Sequence, residues 1–559
     1  MRDTLRLLAV IAVAVFSLAA QHHPFAEQDF SPVPGKDPGA PAGRVFPPPR
    51  GAHAALRRGP AVVQAVRGTK AGSPSATRAD LAFAYLRFER AFLAATLTDA
   101  DTVRVNRAFD ALTLAFFTRD YSGAIRQLDA LTASLQPPAA VPSGLKTRAT
   151  ASTQADLAAY RVRLTPAVYV LGSAAPAITI ATVYEPAQPL PSTKTTLRLQ
   201  PVAAQGFSPA NATSTPAGSR GAIDVPLELT AAPGEPPVAK VSMASVMKRL
   251  KPGRYEIGFA EGGTFVLSGV WSVVSKRLSA RASANAAVLA KLTPDSPAFV
   301  QAVASTTARN ALLVDAPDPG NTAQMLVDPE SLAAQVEAEL AALKRGADPF
   351  KDRAGDYWRV LRAGTRDVPL RVYRPASVPA GRALPLVIAL HGAGGDENMF
   401  MDAYGGGLIK RLADTHGFLV ASPQTAAFGG AAGADTLDRL IEALGLDYAI
   451  DTGRIYVLGH SMGGMTAGAL AGARPDRLAA VACLNGFSGF GADVMKVPPT
   501  FVSAGELDPV ISPTRIEPAA KKAQAAGLPV EYVLLKNYGH TLAVTKLLPD
   551  VIVWLLTPR

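Results

Sequence analysis

Cysteine is almost missing from this 559-residue sequence: Cys483 stands alone. A single thiol rules out an intrachain disulfide framework and any cysteine-ligated zinc cluster. No histidine base is placed for it, so Cys483 is expected as a small buried core residue and not a nucleophile. Long apolar runs are scarce too. No stretch reaches 18 apolar residues, so no membrane span is expected once the leader described below is removed. Charge of one sign is also in short supply. The formal net charge is +11 with 18% charged residues, and no element carries a basic stripe, which argues against a nucleic-acid binder. What is abundant is apolar residue, 48% of the chain, enough for packed cores. This length accommodates about three or four domains, and the 47 glycines and 46 prolines point to linkers between them.

The first twenty residues read as a cleaved signal peptide. Arg2 and Arg6 mark a positive start, Leu7 to Leu18 form a short uncharged apolar run, and Ser17 and Ala19 supply small residues for cleavage. The expected location is secreted or periplasmic, by bacterial-type export. Residues 21–76, with ten prolines and more basic than acidic residues, read as a disordered linker. From 77 to 150 the pattern is helical: Leu81, Tyr85, Phe88, Phe92 and Leu93 recur at spacings of three and four, and Phe109, Leu112, Leu114, Phe116 and Phe117 continue it. Asp99 and Asp101 lie between the two segments, where an N-cap is expected. Residues 156–275 hold short β-branched runs (160–171, 177–184, 195–199, 223–229, 240–243, 255–259) parted by turn residues, the pattern of an antiparallel sandwich. Leu250-Lys251-Pro252-Gly253-Arg254-Tyr255 resembles the tyrosine corner of immunoglobulin-like domains. Residues 276–350 return to helix as a connector, with Ser331 expected to cap a helix reaching Lys344. These modules serve either as spacers or as anchors to an envelope or polysaccharide.

The chemistry-bearing residues fall between 351 and 559. Apolar runs at 384–390, 418–421, 455–458, 479–484, 500–503 and 530–534 alternate with helical stretches, after a hairpin at 357–361 and 368–373. This predicts an α/β domain, a mostly parallel sheet flanked by helices. Ligand sites in such sheets lie at the carboxyl ends of strands, and four strand ends carry suggestive residues. Gly459-His460-Ser461-Met462-Gly463 is a G-x-S-x-G string between strand and helix, the setting of a nucleophile elbow. His391-Gly392-Ala393-Gly394-Gly395 follows an earlier strand and is glycine-rich enough to let a substrate carbonyl approach. Amides of Ala393 and Met462 are the expected oxyanion donors. Asp508 and His540 follow later strands. Of seven histidines, only His540 lies after both Ser461 and an acid; Glu506 competes with Asp508, whose shorter side chain beside Pro509 better suits a fixed loop.

On these strings the segment from about 356 onward resembles the α/β-hydrolase superfamily. It is similar to the secreted esterases grouped with polyhydroxybutyrate depolymerases and feruloyl esterases. Pro385 to Gly392, Asp451 to Met465 and Gly505 to Val510 carry the likeness. The resemblance implies a serine carboxylic ester hydrolase with triad Ser461, Asp508 and His540, acting without metal or organic cofactor on small or polymer-linked esters. Other readings are a prolyl-oligopeptidase-like peptidase, an envelope transacylase and a non-enzymatic binding protein. Residues 484–499 are too few for an inserted lid helix, so an open site is expected, rimmed by Gln424, Asn485, Phe487 and Tyr538.

Overall fold

The computed structural model describes residues 64–67, 76–135 and 157–558, with short breaks of which 203–220 is the longest. The expected leader, most of the expected linker, and residues 136–156 lie outside the described residues. After residues 64–67 come three helices: α1 (Arg78–Ala94), α2 (Asp99–Phe117) and α3 (Tyr121–Leu135). Thr77 and Asp80 form a reciprocal capping box on α1, with N–H···O distances of 3.2 and 2.8 Å. Thr98, whose hydroxyl oxygen accepts from the Asp101 amide at 3.1 Å, caps α2. Asp99 and Asp101, expected at the cap, instead fill the first turn, where carboxylates oppose the helix dipole. Phe88, Phe92 and Phe109 pack together. Phe88 is fully buried, its ring 5.0 Å from that of Phe109 and 5.7 Å from that of Phe92.

The β-rich stretch contains β1 (Gln64–Arg67), β2 (Tyr160–Thr165), β3 (Val168–Val170), β4 (Ala177–Thr182), β5 (Leu190–Pro201), β6 (Ile223–Ala231), β7 (Val238–Val241), β8 (Gly253–Glu261) and β9 (Thr264–Val274). Seven of these make one sheet in the order β1-β7-β6-β5-β8-β9-β3, and β2 with β4 makes a separate ribbon. Sequence patterning misses β9, which follows β8 after only two residues and pairs with it along its length. The layer opposite the large sheet is the ribbon together with α1–α3, so a second full sheet does not form. One apolar cluster joins Phe88, Val105 and Ile125 of the helices, Val162 and Ile180 of the ribbon, Leu197 and Phe259 of the sheet, and Leu542 near the carboxyl end. Residues Ala65–Arg559 form one compact unit. The expected boundaries between helical, β-rich and C-terminal parts are therefore changes of secondary structure and not breaks in packing.

Next come α4 (Leu278–Leu289), α5 (Pro297–Ala311) and α6 (Pro329–Lys344). The cap of α6 is Asp328, which accepts from the Glu330 amide; Ser331, expected there, donates its hydroxyl to Asp328. Then follow β10 (Gly355–Ala363), β11 (Arg366–Arg374), β12 (Leu384–Leu390), α7 (Leu408–His416), β13 (Leu419–Pro423), α8 (Gly433–Asp447), β14 (Ile450–His460), α9 (Met462–Ala473), β15 (Ala480–Leu484), β16 (Thr500–Gly505), α10 (Pro513–Ala525), β17 (Val530–Leu535) and α11 (Leu542–Leu556). The eight strands are ordered β10-β11-β13-β12-β14-β15-β16-β17, parallel from β13 onward. Every residue of β12, β13 and β15 is buried, as strands covered on both faces require.

An edge strand with unpaired backbone invites association with another chain. Here α5 covers β10. Gln301 bonds both backbone groups of Arg362, Ser305 donates to the Val360 carbonyl, and Arg309 donates to the Trp358 carbonyl. Side chains four residues apart on one helix face thus meet alternate residues of the strand. The connector serves as the sheet's edge partner.

Candidate active site

Chain direction decides where a site can form. After β12 the chain crosses to β13 on one side, and after β13 it crosses back to β14 on the other. The crevice beyond the carboxyl ends of β12 and β14 is the switch point of the sheet. Ser461 follows β14 there, and the glycine-rich loop follows β12.

Ser461 sits at φ 57° and ψ −119°, a strained conformation for a side-chain-bearing residue. Its surroundings leave no alternative. A Cβ on Gly459 would lie 2.1 Å from the Gly463 carbonyl oxygen, one on Gly463 would lie 2.0 Å from the Leu390 oxygen, and one on Gly486 would lie 2.0 Å from the Ser461 oxygen. The Ser461 amide donates to the Leu484 carbonyl at 2.9 Å, which ties the turn to β15. Met462 begins α9, so its amide has no acceptor within the helix and points out of the positive end. Across the crevice, Gly395 donates to the Gly392 carbonyl at 3.2 Å with Gly394 at φ 76°. This closes a turn that leaves the Ala393 amide out of its hydrogen bond.

The Ser461 hydroxyl lies 2.9 Å from His540 Nε2, and His540 Nδ1 lies 2.7 Å from Asp508 Oδ2. Asp508 Oδ1 accepts from the amides of Val510 and Ile511 at 2.8 and 2.9 Å, which fixes the carboxylate in its loop. A carboxylate accepts only, so Nδ1 carries the proton and Nε2 is left to accept from the serine. Glu506, the competing acid, accepts instead from the Asn537 amide.

The His540 segment is clamped on its backbone. Asn485 Nδ2 donates to the carbonyls of Gly539 and His540 at 2.9 and 2.8 Å, and His460 Nε2 donates to the His540 carbonyl at 3.0 Å. Tyr404 donates its hydroxyl to His460 Nδ1 at 2.8 Å. Burial foremost, then the neighbouring His540, holds the His460 imidazole well below its usual pKa, consistent with a neutral ring donating from Nε2. The amides of Gly539 and His540 donate to Asn106 Oδ1 and Asp110 Oδ2 of α2, at 2.9 and 2.8 Å.

Two of the expected rim residues are not on a rim. Asn485 is fully buried in the clamp just described, and Phe487 is buried in an edge-to-face pair with Phe490, 5.1 Å between ring centroids. Gln424 is half-buried and committed, donating to Glu397 Oε2 at 2.6 Å beside His391. Tyr538 is half-buried against the core of the sheet. Ser461, Asp508 and His540 are 7%, 4% and 4% exposed. Among the described residues no helix lies between β15 and β16. Part of the packing around the site comes from the N-terminal helices. Arg78 of α1 donates to the Gly394 carbonyl and pairs with Asp396, and α2 holds the His540 segment. Sequence patterning had no means to find Asn106 or Asp110, some 430 residues from their partners. Their only signal is polar residues four apart on an otherwise apolar helix face. Among the described residues no cluster of side chains is suited to a metal ion.

Residues 385–497 match the family described as alpha/beta hydrolase fold. This stretch has the α/β-hydrolase fold. A bifunctional acetylxylan esterase/xylanase of Neocallimastix patriciarum is 32% identical over 174 residues, 29% of this chain and 24% of that protein. The chain thus spans about a quarter of the length of this relative. Among solved structures, an S-formylglutathione hydrolase of Staphylococcus aureus overlaps 37% of this chain and 99% of its own (16% identity, TM-score 0.31). An acetyl xylan esterase of Aspergillus awamori overlaps 35% and 99% (14% identity, TM-score 0.29). Among the described residues no helix is long and apolar enough to cross a membrane.

Proposed function

We propose that this chain hydrolyses carboxylic esters through a covalent acyl-enzyme on Ser461. The observation that carries the proposal is the hydrogen-bonded series Asp508–His540–Ser461, at 2.7 and 2.9 Å, at the end of the switch-point strand. His540 Nε2 takes the hydroxyl proton as Ser461 Oγ attacks the ester carbonyl, while Asp508 holds the ring and stabilises the imidazolium that forms. The oxyanion accepts from the amides of Met462 and Ala393; each such donor is worth about 3–4 kcal/mol in comparable sites. The imidazolium then protonates the departing alkoxide. Water repeats the attack on the acyl-enzyme, with His540 as base, and releases the acid and free serine.

The substrate class is esters of small acyl groups, free or carried on a polysaccharide. The acetylxylan esterase named above supports that choice. Export to the periplasm or medium accords with such a substrate. In the β-rich part the Tyr255 hydroxyl donates to the Lys251 carbonyl at 2.9 Å and accepts from the Lys251 amide at 3.0 Å, so the tyrosine corner forms, but on a single sheet backed by helices. Purified protein should hydrolyse p-nitrophenyl acetate and acetylated xylan, and Ser461→Ala should abolish both while keeping its circular dichroism. Turnover by Ser461→Ala equal to wild type would overturn the assignment, and preferential cleavage of prolyl amides would move it to a peptidase.

A further inference from the structure

We propose that Asn106 and Asp110, on a helix in the first quarter of the chain, are positioning residues for the His540 base. The inference rests on the esterase reading above and deepens it. A base must meet the serine hydroxyl within a few tenths of an ångström, and a displacement of about 1 Å costs on the order of 100-fold in rate. His540 lies in a short connection after β17 and before α11, with no strand of its own to hold it. Its position is set by side chains that grip the backbone from two sides. Asn485 and His460, from the hydrolase domain, bind the carbonyls of residues 539 and 540. Asn106 and Asp110 bind the two amides.

The amide side of the clamp is built for this contact. Asn106 and Asp110 are four residues apart on α2, so they project from one face, and they are 0% and 4% exposed. Asn106 is held in turn, its Nδ2 donating to the Thr102 carbonyl at 2.9 Å, which presents Oδ1 to the Gly539 amide. Gly539 is a glycine for the same reason: a Cβ there would lie 1.8 Å from Asp110 Oδ2. Burial raises the Asp110 carboxyl to about 6, against the pull of the His540 amide and ring. Around neutral pH the group is thus a carboxylate that accepts from the His540 amide. The helical segment is consequently part of the catalytic apparatus, and the hydrolase domain borrows one half of its histidine clamp from it.

The test uses full-length chains carrying Asp110→Ala, Asp110→Asn, Asn106→Ala and, as reference, Ser461→Ala, with p-nitrophenyl acetate as substrate. Asp110→Ala should lower kcat by about 10- to 100-fold, with KM changed less than about threefold. Asp110→Asn keeps an amide acceptor of the same shape and should recover most of the lost kcat. Asn106→Ala should fall in kcat alone, and labelling of Ser461 by a fluorophosphonate should slow in parallel with kcat. Should Asp110→Ala fail to fold, Asp110→Asn and Gly539→Ala carry the test: Asn should retain activity, and Gly539→Ala, which pushes the carboxylate off its amide, should lose kcat. An unchanged kcat in Asp110→Ala or in Gly539→Ala, beside an active wild type, overturns the positioning role. A wild type no faster than Ser461→Ala would instead overturn the esterase reading.

Discussion

Replacing Asn485 by alanine should cost about 4 kcal/mol of folding stability and most of the activity. Asn485 is fully buried just past β15, and its side-chain amide donates to two carbonyls, those of Gly539 and His540. The His540 carbonyl keeps a second donor in His460, but no other donor to the Gly539 carbonyl accompanies Asn485 in the clamp. An orphaned buried carbonyl costs about 1–3 kcal/mol, and a lost shared hydrogen bond about 0.5–1.5 kcal/mol. Asn485 also sits at φ 50°, where asparagine is tolerated and alanine pays about 1–2 kcal/mol. Three variants separate these terms. Asn485→Gly removes the donors without the backbone penalty and should lose about 1 kcal/mol less than alanine. Asn485→Asp keeps the shape but turns acceptor oxygen toward two carbonyls, and should be the worst of the three. Urea unfolding followed by far-ultraviolet circular dichroism reads the stabilities, and p-nitrophenyl acetate turnover reads the alignment of His540. An alanine variant within about 0.5 kcal/mol of wild type, with normal kcat, would refute the clamp.

Other perturbations test the frame around the site. Arg309 is buried, paired with Glu339 at 2.9 Å, and donates to the Trp358 carbonyl on the edge strand. Glu339 keeps Arg353 as a second partner, so Arg309→Ala should cost about 3 kcal/mol, the lower end for a broken buried pair. It should also promote self-association through uncovered β10, seen as a concentration-dependent sedimentation coefficient; a monomer of unchanged melting temperature would contradict the edge-cover account. Glu89, buried on α1 and accepting from Tyr85 at 2.6 Å, is raised from 4.5 to about 7 by burial. Its folded-state pKa exceeds the unfolded one, so its contribution is fully present below pH 4.5 and is lost as pH rises through about 7. Relative to Glu89→Gln, wild type should lose up to about 3 kcal/mol between pH 4.5 and 8, and urea midpoints that keep a constant separation would contradict this.

How much of this was legible beforehand depends on whether a feature is local in sequence. The hydrolase strands were legible because each is a short apolar run bounded by turn residues, and the Ser461 turn because its glycines are forced by contacts a few residues away. Asp508 and His540 followed from order along the chain and from the scarcity of histidine. The caps Thr98 and Asp328 were misplaced by one and three residues, since several acceptors crowd each helix start. The rim assignment of Asn485 and Phe487 fails because loop position says nothing of burial: Asn485 turns inward to the His540 segment, and Phe487 packs against Phe490. Hardest of all were contacts between distant stretches. That α1–α3 share a core with the β-rich part, that α5 covers β10, and that α2 reaches His540 are outcomes of tertiary packing, which no local period encodes.

The most direct test of the central claim is to treat the full-length protein with a fluorophosphonate and locate the adduct by peptide mass spectrometry. One equivalent on Ser461, abolished in Ser461→Ala and strongly slowed in His540→Ala, is the expected result. An adduct elsewhere, or none on a folded protein, would contradict it.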